Sequence, residues 1–313
     1  MSKFRDSTPD ATAVLEAAAQ PRPQPAPHAD PADAGGHDRS IGDILAELRN
    51  LTAEQVEKIL ERQRESGIRF GEAAVELGFA SKDDVLFALS QQFHYPYAPE
   101  EQRKASPELV ALNEPFSPRA ETFRGLRSQL MMRLYADNAP RQALAIISPD
   151  AGDGKTYCAA NLAVTLAQLG GRTLLVDADM RGPRLHEVFK LSNRSGLSGI
   201  LSGRSDNQVI QQVPGVPSLF VLPLGTTPPN PLELVERPAF GLLMRELVSK
   251  FDHVVVDTPA AAYGADAMVI AARCGAALVI ARKDTSRVAM LQDLVDSLAG
   301  SPAKVAGVIY NEI

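Results

Sequence analysis

Between Ala143 and Gly170 the chain passes from an apolar run, ALAIIS, through PDAGDGKT, into a helix-forming stretch, YCAANLAVTLAQLG. A strand that feeds a glycine-rich turn and then a helix leaves few folds open. Glycine admits backbone conformations closed to other residues, and a helix start is electropositive, so such a turn can wrap a phosphate with its N–H groups. Lys155 then reaches the β- and γ-phosphates, and the Thr156 hydroxyl can hold Mg²⁺. The usual loop has glycine where this chain has Pro149, so the motif is a variant. The candidate nucleotide-binding turn comprises Ala151, Gly152, Asp153, Gly154, Lys155, Thr156 and Tyr157.

Two later apolar runs end in acids. TLLVDAD closes on Asp177 and Asp179, and HVVVDTP carries Asp257. Paired carboxylates repel each other unless a cation lies between them. Short runs such as HVVVD and AALVIA are apolar on both faces, which predicts a mainly parallel sheet flanked by helices. Strands are expected at 142–148, 172–177, 218–223, 252–257, 275–282 and 303–309, with helices at 154–169, 237–249, 263–273 and 285–298. A parallel sheet places its ligand at the carboxyl ends of the strands. Lys155, Asp177, Asp179 and Asp257 are therefore expected around one Mg²⁺-bound triphosphate. An aspartate not needed by the metal could accept a proton from an attacking hydroxyl.

The rest of the chain divides by composition. Residues 1–38 are rich in Ala, Pro, Asp and Gly and read as a disordered tail. Residues 40–97 hold a repeat: IGDILAELRNLTAEQVEKILERQ recurs, offset by 29 residues, as FGEAAVELGFASKDDVLFALSQQ. Each copy reads as two short helices, the second capped by Thr52 or Ser81, so a small all-α domain is expected. Proline-broken text over 98–119 reads as a linker with one turn of helix, and Ala120–Tyr135 as a helix with Phe123, Leu126, Leu130 and Met131 on its apolar face. A net charge of −6 argues against nucleic acid as a partner. Cys158 and Cys274 lack metal-ligand spacing and read as buried thiols in a reducing compartment. No apolar run is long enough to span a membrane, and the N-terminus lacks a signal-peptide core. The expectation is a cytoplasmic chain that meets the membrane only through a partner.

SPDAGDGKT, LLVDADMR with Arg181, and VVVDTP, together with GLSGILSG, GTTPPNPLELV and ETFRGLR, resemble the bacterial tyrosine kinases of exopolysaccharide chain-length control, in their EpsG-like subgroup. Division-site and partition ATPases share such a sheet but carry a second lysine early in the loop, where this chain has Asp150. The resemblance implies a P-loop NTPase domain over 120–313, with ATP and Mg²⁺ held by Thr156, Asp177, Asp179 and Asp257. It implies activation by a membrane polysaccharide co-polymerase at the inner membrane, and homo-oligomers formed through Glu121, Arg124 and Arg127. It places Asn311 near adenine. The family's tyrosine-rich tail is not matched: Tyr95, Tyr97, Tyr135, Tyr157, Tyr263 and Tyr310 are scattered, so tail autophosphorylation is not expected. The alternative is an ATP-dependent scaffold of polysaccharide assembly without kinase activity. RFGEAAVELGFASKDDVLFALSQQ also resembles the N-terminal module of type II secretion and pilus ATPases. Two readings of it stand: a cyclic di-GMP site using Arg69, Gly71, Gly78 and Gln92, or a helical module for packing and partner docking.

Overall fold

The structure is a computed structural model that describes residues 40–92, 106–135, 140–204 and 209–312. The expected tail, the last part of the repeat domain and the first part of the linker lie outside the described residues. The chain forms two compact units, divided between Arg103 and Lys104 apart from the undescribed N-terminus.

The smaller unit contains α1 (Ile41–Arg49), α2 (Ala53–Ser66), α3 (Phe70–Glu76) and α4 (Lys82–Gln92). Its helices start where the sequence supplies caps. Thr52 Oγ1 accepts the Gln55 N–H while Gln55 Oε1 accepts the Thr52 N–H, closing a capping box. Ser81 and Asp84 repeat the arrangement before α4. Arg49 ties α1 to α4 through Asp84 at 2.7 Å. Gly71 is required by packing, because a Cβ there would lie 2.6 Å from Val85 Cγ1. Gly78 follows α3 at φ +72°, a left-handed turn that glycine adopts without strain. Arg69 precedes α3, and its N–H donates to Glu72. The two glycines of the cyclic di-GMP pattern are thus accounted for by backbone and packing, and Gln92 is the last described residue of α4.

The larger unit opens with α5 (Val110–Asn113) and α6 (Pro118–Leu134). There follow β1 (Ala143–Ile147), α7 (Lys155–Ala167), β2 (Thr173–Asp177), α8 (Leu185–Val188), α9 (Leu197–Leu201), β3 (Gln211–Gln212) and β4 (Leu219–Leu222). The chain continues through α10 (Pro231–Glu236), α11 (Pro238–Lys250), β5 (His253–Asp257), α12 (Asp266–Cys274), β6 (Gly275–Arg282), α13 (Val288–Ala299) and β7 (Lys304–Asn311). The sheet order is β3-β4-β2-β5-β1-β6-β7, with every pairing parallel except β3 on β4. The six expected strands are all present. Beta-3 is an addition, a two-residue polar edge strand with no apolar run to announce it.

Alternate strand residues feed two cores. Ala143, Ala145, Ile147, Val254, Val256, Ala277 and Val279 pack under α10–α13, while Leu144, Ile146, Val255, Leu278 and Ile280 pack under α5–α7. Burial on both faces explains the unbroken apolar runs. Cys158 and Cys274 are free thiols inside these cores.

The expected linker needs correction from Ser106 onward. Leu109, Val110, Ala111 and Leu112 are buried against α7. The Ala111 N–H donates to Asn161 Oδ1 at 2.9 Å, and Asn161 Nδ2 returns to the Glu108 carbonyl at 2.9 Å. This strap belongs to the larger unit, held by partners some fifty positions away in sequence.

Candidate phosphate-binding site

At the carboxyl end of β1 the chain turns through residues 148–154 into α7, with Gly152 at φ +84° and Gly154 at φ +99°. Those left-handed conformations fold the loop back over the helix start. Lys155 is buried, and its Nζ donates to Ser148 Oγ at 3.0 Å. Thr156 Oγ1 donates to Asp257 Oδ2 at 2.6 Å. Beta-5 stands between β1 and β2, so Asp257 is register partner of both Ile146 and Asp177. The strand order therefore brings the lysine, the threonine and the acids to one rim of the sheet.

The acids do not play equivalent parts. Asp179 lies just past β2, where its Oδ1 accepts the Arg181 and Gly182 N–H groups at 3.0 and 2.9 Å, and it lines an open cleft of about 290 Å³. Lys155, Thr156, Tyr157, Arg181, Arg184 and Tyr263 line the same cleft. Asp177 is fully buried and accepts the Leu185 N–H at 3.1 Å. Beta-2 ends at Asp177, and Asp179, two residues on, stands before the bend at 180–182 with its carboxylate at the cleft wall, so the two expected metal acids differ in burial. Burial pushes Asp257 up to about 7, against the Thr156 hydrogen bond that pulls it down. Burial, and then the charge of Asp257, hold Asp177 well above the usual carboxylate range.

A divalent cation fits this chemistry. Asp257 Oδ1 is buried without a hydrogen-bond partner among the described residues, next to the Thr156 hydroxyl. Among the described residues no three acidic, histidine or cysteine side chains converge into a protein cage for a metal. Mg²⁺ seldom uses such a cage, taking one or two carboxylates together with phosphates and water. Thr156 and Asp257 are the protein groups suited to it, with Asp179 at the cleft wall and Asp177 behind.

Two of the expected ligand residues are braces. Asp153 is fully buried, its carboxylate accepting the Asp150 N–H at 3.0 Å and the Ser286 hydroxyl at 2.8 Å. Asn311 Nδ2 donates to the Asp153 carbonyl at 2.9 Å, fixing the loop from the end of β7. Asn311 also lines a second cavity of about 470 Å³, with Phe123, Leu126, Tyr157, Ile309 and Tyr310 in its walls. Tyr157 lines both cavities, and its ring meets Phe123 edge-on with centroids 5.6 Å apart. Arg181 is locked by Asp266, which accepts from Nε at 3.0 Å and from the terminal nitrogen at 2.8 Å. Arg184 and Tyr263 join the site without a sequence motif that marks them, and Ser148, the first residue of SPDAGDGKT, joins it as the acceptor for Lys155. Arg184 and Tyr263 lie within seven residues of Asp177 and Asp257, the one signal that could have found them. The expected association residues share α6. Arg124 pairs with Glu121 at 2.6 Å and donates to the Pro115 carbonyl, while Arg127 donates to the Thr165 carbonyl at 2.9 Å. Both arginines brace their own subunit.

The fold and the cleft define a P-loop nucleotide-binding protein. Residues 144–313 match the CobQ/CobB/MinD/ParA nucleotide binding domain. YwqD of Bacillus subtilis strain 168, a tyrosine-protein kinase, is 33% identical over 204 residues, 65% of this chain and 85% of YwqD. EpsB of Ralstonia solanacearum is 35% identical over 212 residues, 67% of this chain but 28% of EpsB. The kinase domain of the Escherichia coli tyrosine kinase ETK superposes with a TM-score of 0.63 at 30% identity, covering 67% of this chain and 81% of that domain. The chain belongs to the bacterial tyrosine kinases within this nucleotide-binding family.

Asp153 gives a direct test of the bracing. Asp153→Ala leaves the Asp150 N–H without its partner inside the loop, a loss of order 1–3 kcal/mol. Nucleotide affinity by calorimetry is expected to fall at least about tenfold, the equivalent of ~1.4 kcal/mol. Asp153→Asn, which keeps one acceptor oxygen, falls less.

Proposed function

We propose that this chain is an ATP- and Mg²⁺-dependent protein tyrosine kinase that regulates exopolysaccharide chain length and export together with a membrane co-polymerase. The observation that carries the kinase part is the convergence of Lys155, Thr156, Asp179 and Asp257 on one cleft at the carboxyl edge of the sheet. Lys155 neutralises charge on the β- and γ-phosphates, and backbone N–H groups of the Ala151–Thr156 loop cradle them. Thr156 and Asp257 would hold Mg²⁺, which would supply the remaining positive charge that phosphoryl transfer requires. Asp179, the acid at the open wall, accepts the proton of the attacking phenol. Tyr157 and the second cavity beside Asn311 suit a flat apolar base such as adenine.

The polysaccharide role, the co-polymerase, the inner-membrane location and self-association through Glu121, Arg124 and Arg127 rest on the motifs shared with the chain-length kinases. Among the described residues no helix is long and apolar enough to cross a membrane. In such an association Glu121, which is well exposed, would supply the acid, and the guanidinium groups of Arg124 and Arg127 carry more N–H donors than the Pro115 and Thr165 carbonyls take.

The test is transfer from γ-labelled ATP with Mg²⁺ to a poly(Glu,Tyr) acceptor, with and without the cytoplasmic segment of the co-polymerase. Label on tyrosine is the expected result. ATP-dependent oligomers with no labelled tyrosine under either condition would replace the kinase by the regulatory scaffold.

A further inference from the structure

We infer that Tyr263 is a phosphate acceptor within its own chain, placed beside the phosphate loop so that the cleft modifies its own wall. The inference rests on the kinase reading above and names one substrate of that site.

Of the six tyrosines, Tyr95 and Tyr97 lie outside the described residues. Tyr135 packs edge-on against His253, which opens β5 at the end of the sheet away from the cleft, and its hydroxyl is buried. The Tyr157 hydroxyl is buried as well. Tyr310 is exposed but lines the second cavity. Tyr263 alone among the described tyrosines combines exposure, 52%, with a place in the wall of the cleft that holds Lys155, Thr156 and Asp179.

Its backbone is fixed to the phosphate loop. Tyr263 ends a short 3₁₀ turn, Ala261–Tyr263, six residues beyond Asp257. The Ala261 N–H donates to the Ser148 carbonyl and the Ala262 N–H to the Pro149 carbonyl, both at 2.9 Å. The turn therefore moves with the loop that cradles the phosphates, and the half-exposed Tyr263 ring stands at the cleft. Gly264 follows at φ +142°, and a Cβ there would lie 3.6 Å from the Arg181 guanidinium. Arg181, oriented by the buried Asp266, stands ready as countercharge for a phosphate on the neighbouring phenol.

In the reaction the Tyr263 phenolic oxygen bonds to the γ-phosphorus of ATP. The bond from that phosphorus to the β,γ-bridging oxygen breaks, ADP leaves with the electron pair, and the phenolic proton passes to Asp179 and then to water. Because donor and acceptor share one rigid frame, the step is first order in protein, and effective concentration replaces encounter.

The experiment incubates the full chain with Mg²⁺ and γ-labelled ATP over a hundredfold range of protein concentration. Phosphopeptides are then mapped by mass spectrometry, with poly(Glu,Tyr) labelling run in parallel. Phosphate on Tyr263 is expected, with a rate constant independent of protein concentration. Tyr263→Phe loses that phosphopeptide. A Lys155→Met chain stays unmodified when mixed with excess active chain. Labelled poly(Glu,Tyr) with an unmodified Tyr263 overturns the inference and leaves the kinase reading standing. Label on Tyr263 of the Lys155→Met chain overturns transfer within one chain. No label on either acceptor overturns the kinase reading and this inference with it.

Discussion

Lys155→Met is expected to lower phosphate transfer by at least about a thousandfold, some 4 kcal/mol of transition-state stabilisation. Lys155 is the first residue of α7, and its ammonium is held in the loop by Ser148 Oγ at 3.0 Å. That position lies beneath the turn formed by Gly152 and Gly154, where terminal phosphates would gather. Charge on those oxygens develops against a buried lysine, and a fixed, largely desolvated cation is worth more than one in solution. Methionine keeps an unbranched apolar side chain, one heavy atom shorter than that of lysine, and removes the charge together with the hydrogen bond to Ser148. Loss of a buried cation and release of its desolvation cost offset each other, so the melting temperature without nucleotide should stay within a few degrees. Burial already pushes Asp257 up to about 7, and Lys155 is one of the groups holding it down, so the variant also keeps that acid protonated more of the time. Initial rates with γ-labelled ATP and a thermal melt together check the prediction. A loss below tenfold would mean that Lys155 does not meet the transferred phosphate.

Much of this site is legible in the sequence because its parts are local. A strand, a glycine turn and a helix occur in succession from Ala143 to Ala167, and the acid ends of β2 and β5 mark the same sheet rim. What the sequence hides depends on partners distant along the chain. Nothing around Asp153 announces that Ser286 and Asn311, more than 130 positions away, fix it as a brace. Proline-flanked ELVALNEP reads as a linker until Asn161 is seen to hold its backbone. Short helices such as Leu185–Val188 and Leu197–Leu201 carry too few residues to show a period, and the Gln-Gln edge strand has no apolar alternation. The different setting of Asp177 and Asp179 has another origin. Asp177 is covered by α8, whose Leu185 N–H its carboxylate accepts, whereas the Asp179 carboxylate caps the bend that follows it through the Arg181 and Gly182 N–H groups.

Gly196→Ala is expected to be the most damaging of the small substitutions in the larger unit. Gly196 has an extended backbone, φ 176°, which any residue adopts, so the constraint is space alone. A Cβ there would strike the Pro223 carbonyl oxygen and stand 2.6 Å from Leu224 C and 2.7 Å from Gly225 N. These are main-chain atoms, and they cannot rotate away as a side chain would. The same contact carries hydrogen bonds from the Leu197 N–H to the Pro223 carbonyl and from the Ser198 N–H to the Leu224 carbonyl, both at 2.9 Å. Separating the segments weakens those bonds and lifts Leu197 and Leu201 from the core under β2 and β4. Overpacking against a core commonly costs about 1–3 kcal/mol, and the rigid neighbours here put the expected loss at the top of that range or above. For a domain of this size, ~3 kcal/mol lowers the melting temperature by about 6–12 °C. Gly125 supplies the control, being helical and exposed, with nothing within 4 Å of the point an added Cβ would occupy. Gly125→Ala should raise stability by about 0.5–1 kcal/mol through helix propensity. A Gly196→Ala protein that melts with the parent would show that the segments beside Pro223 are not in contact. Opposite shifts from two chemically identical substitutions would locate the difference in main-chain crowding.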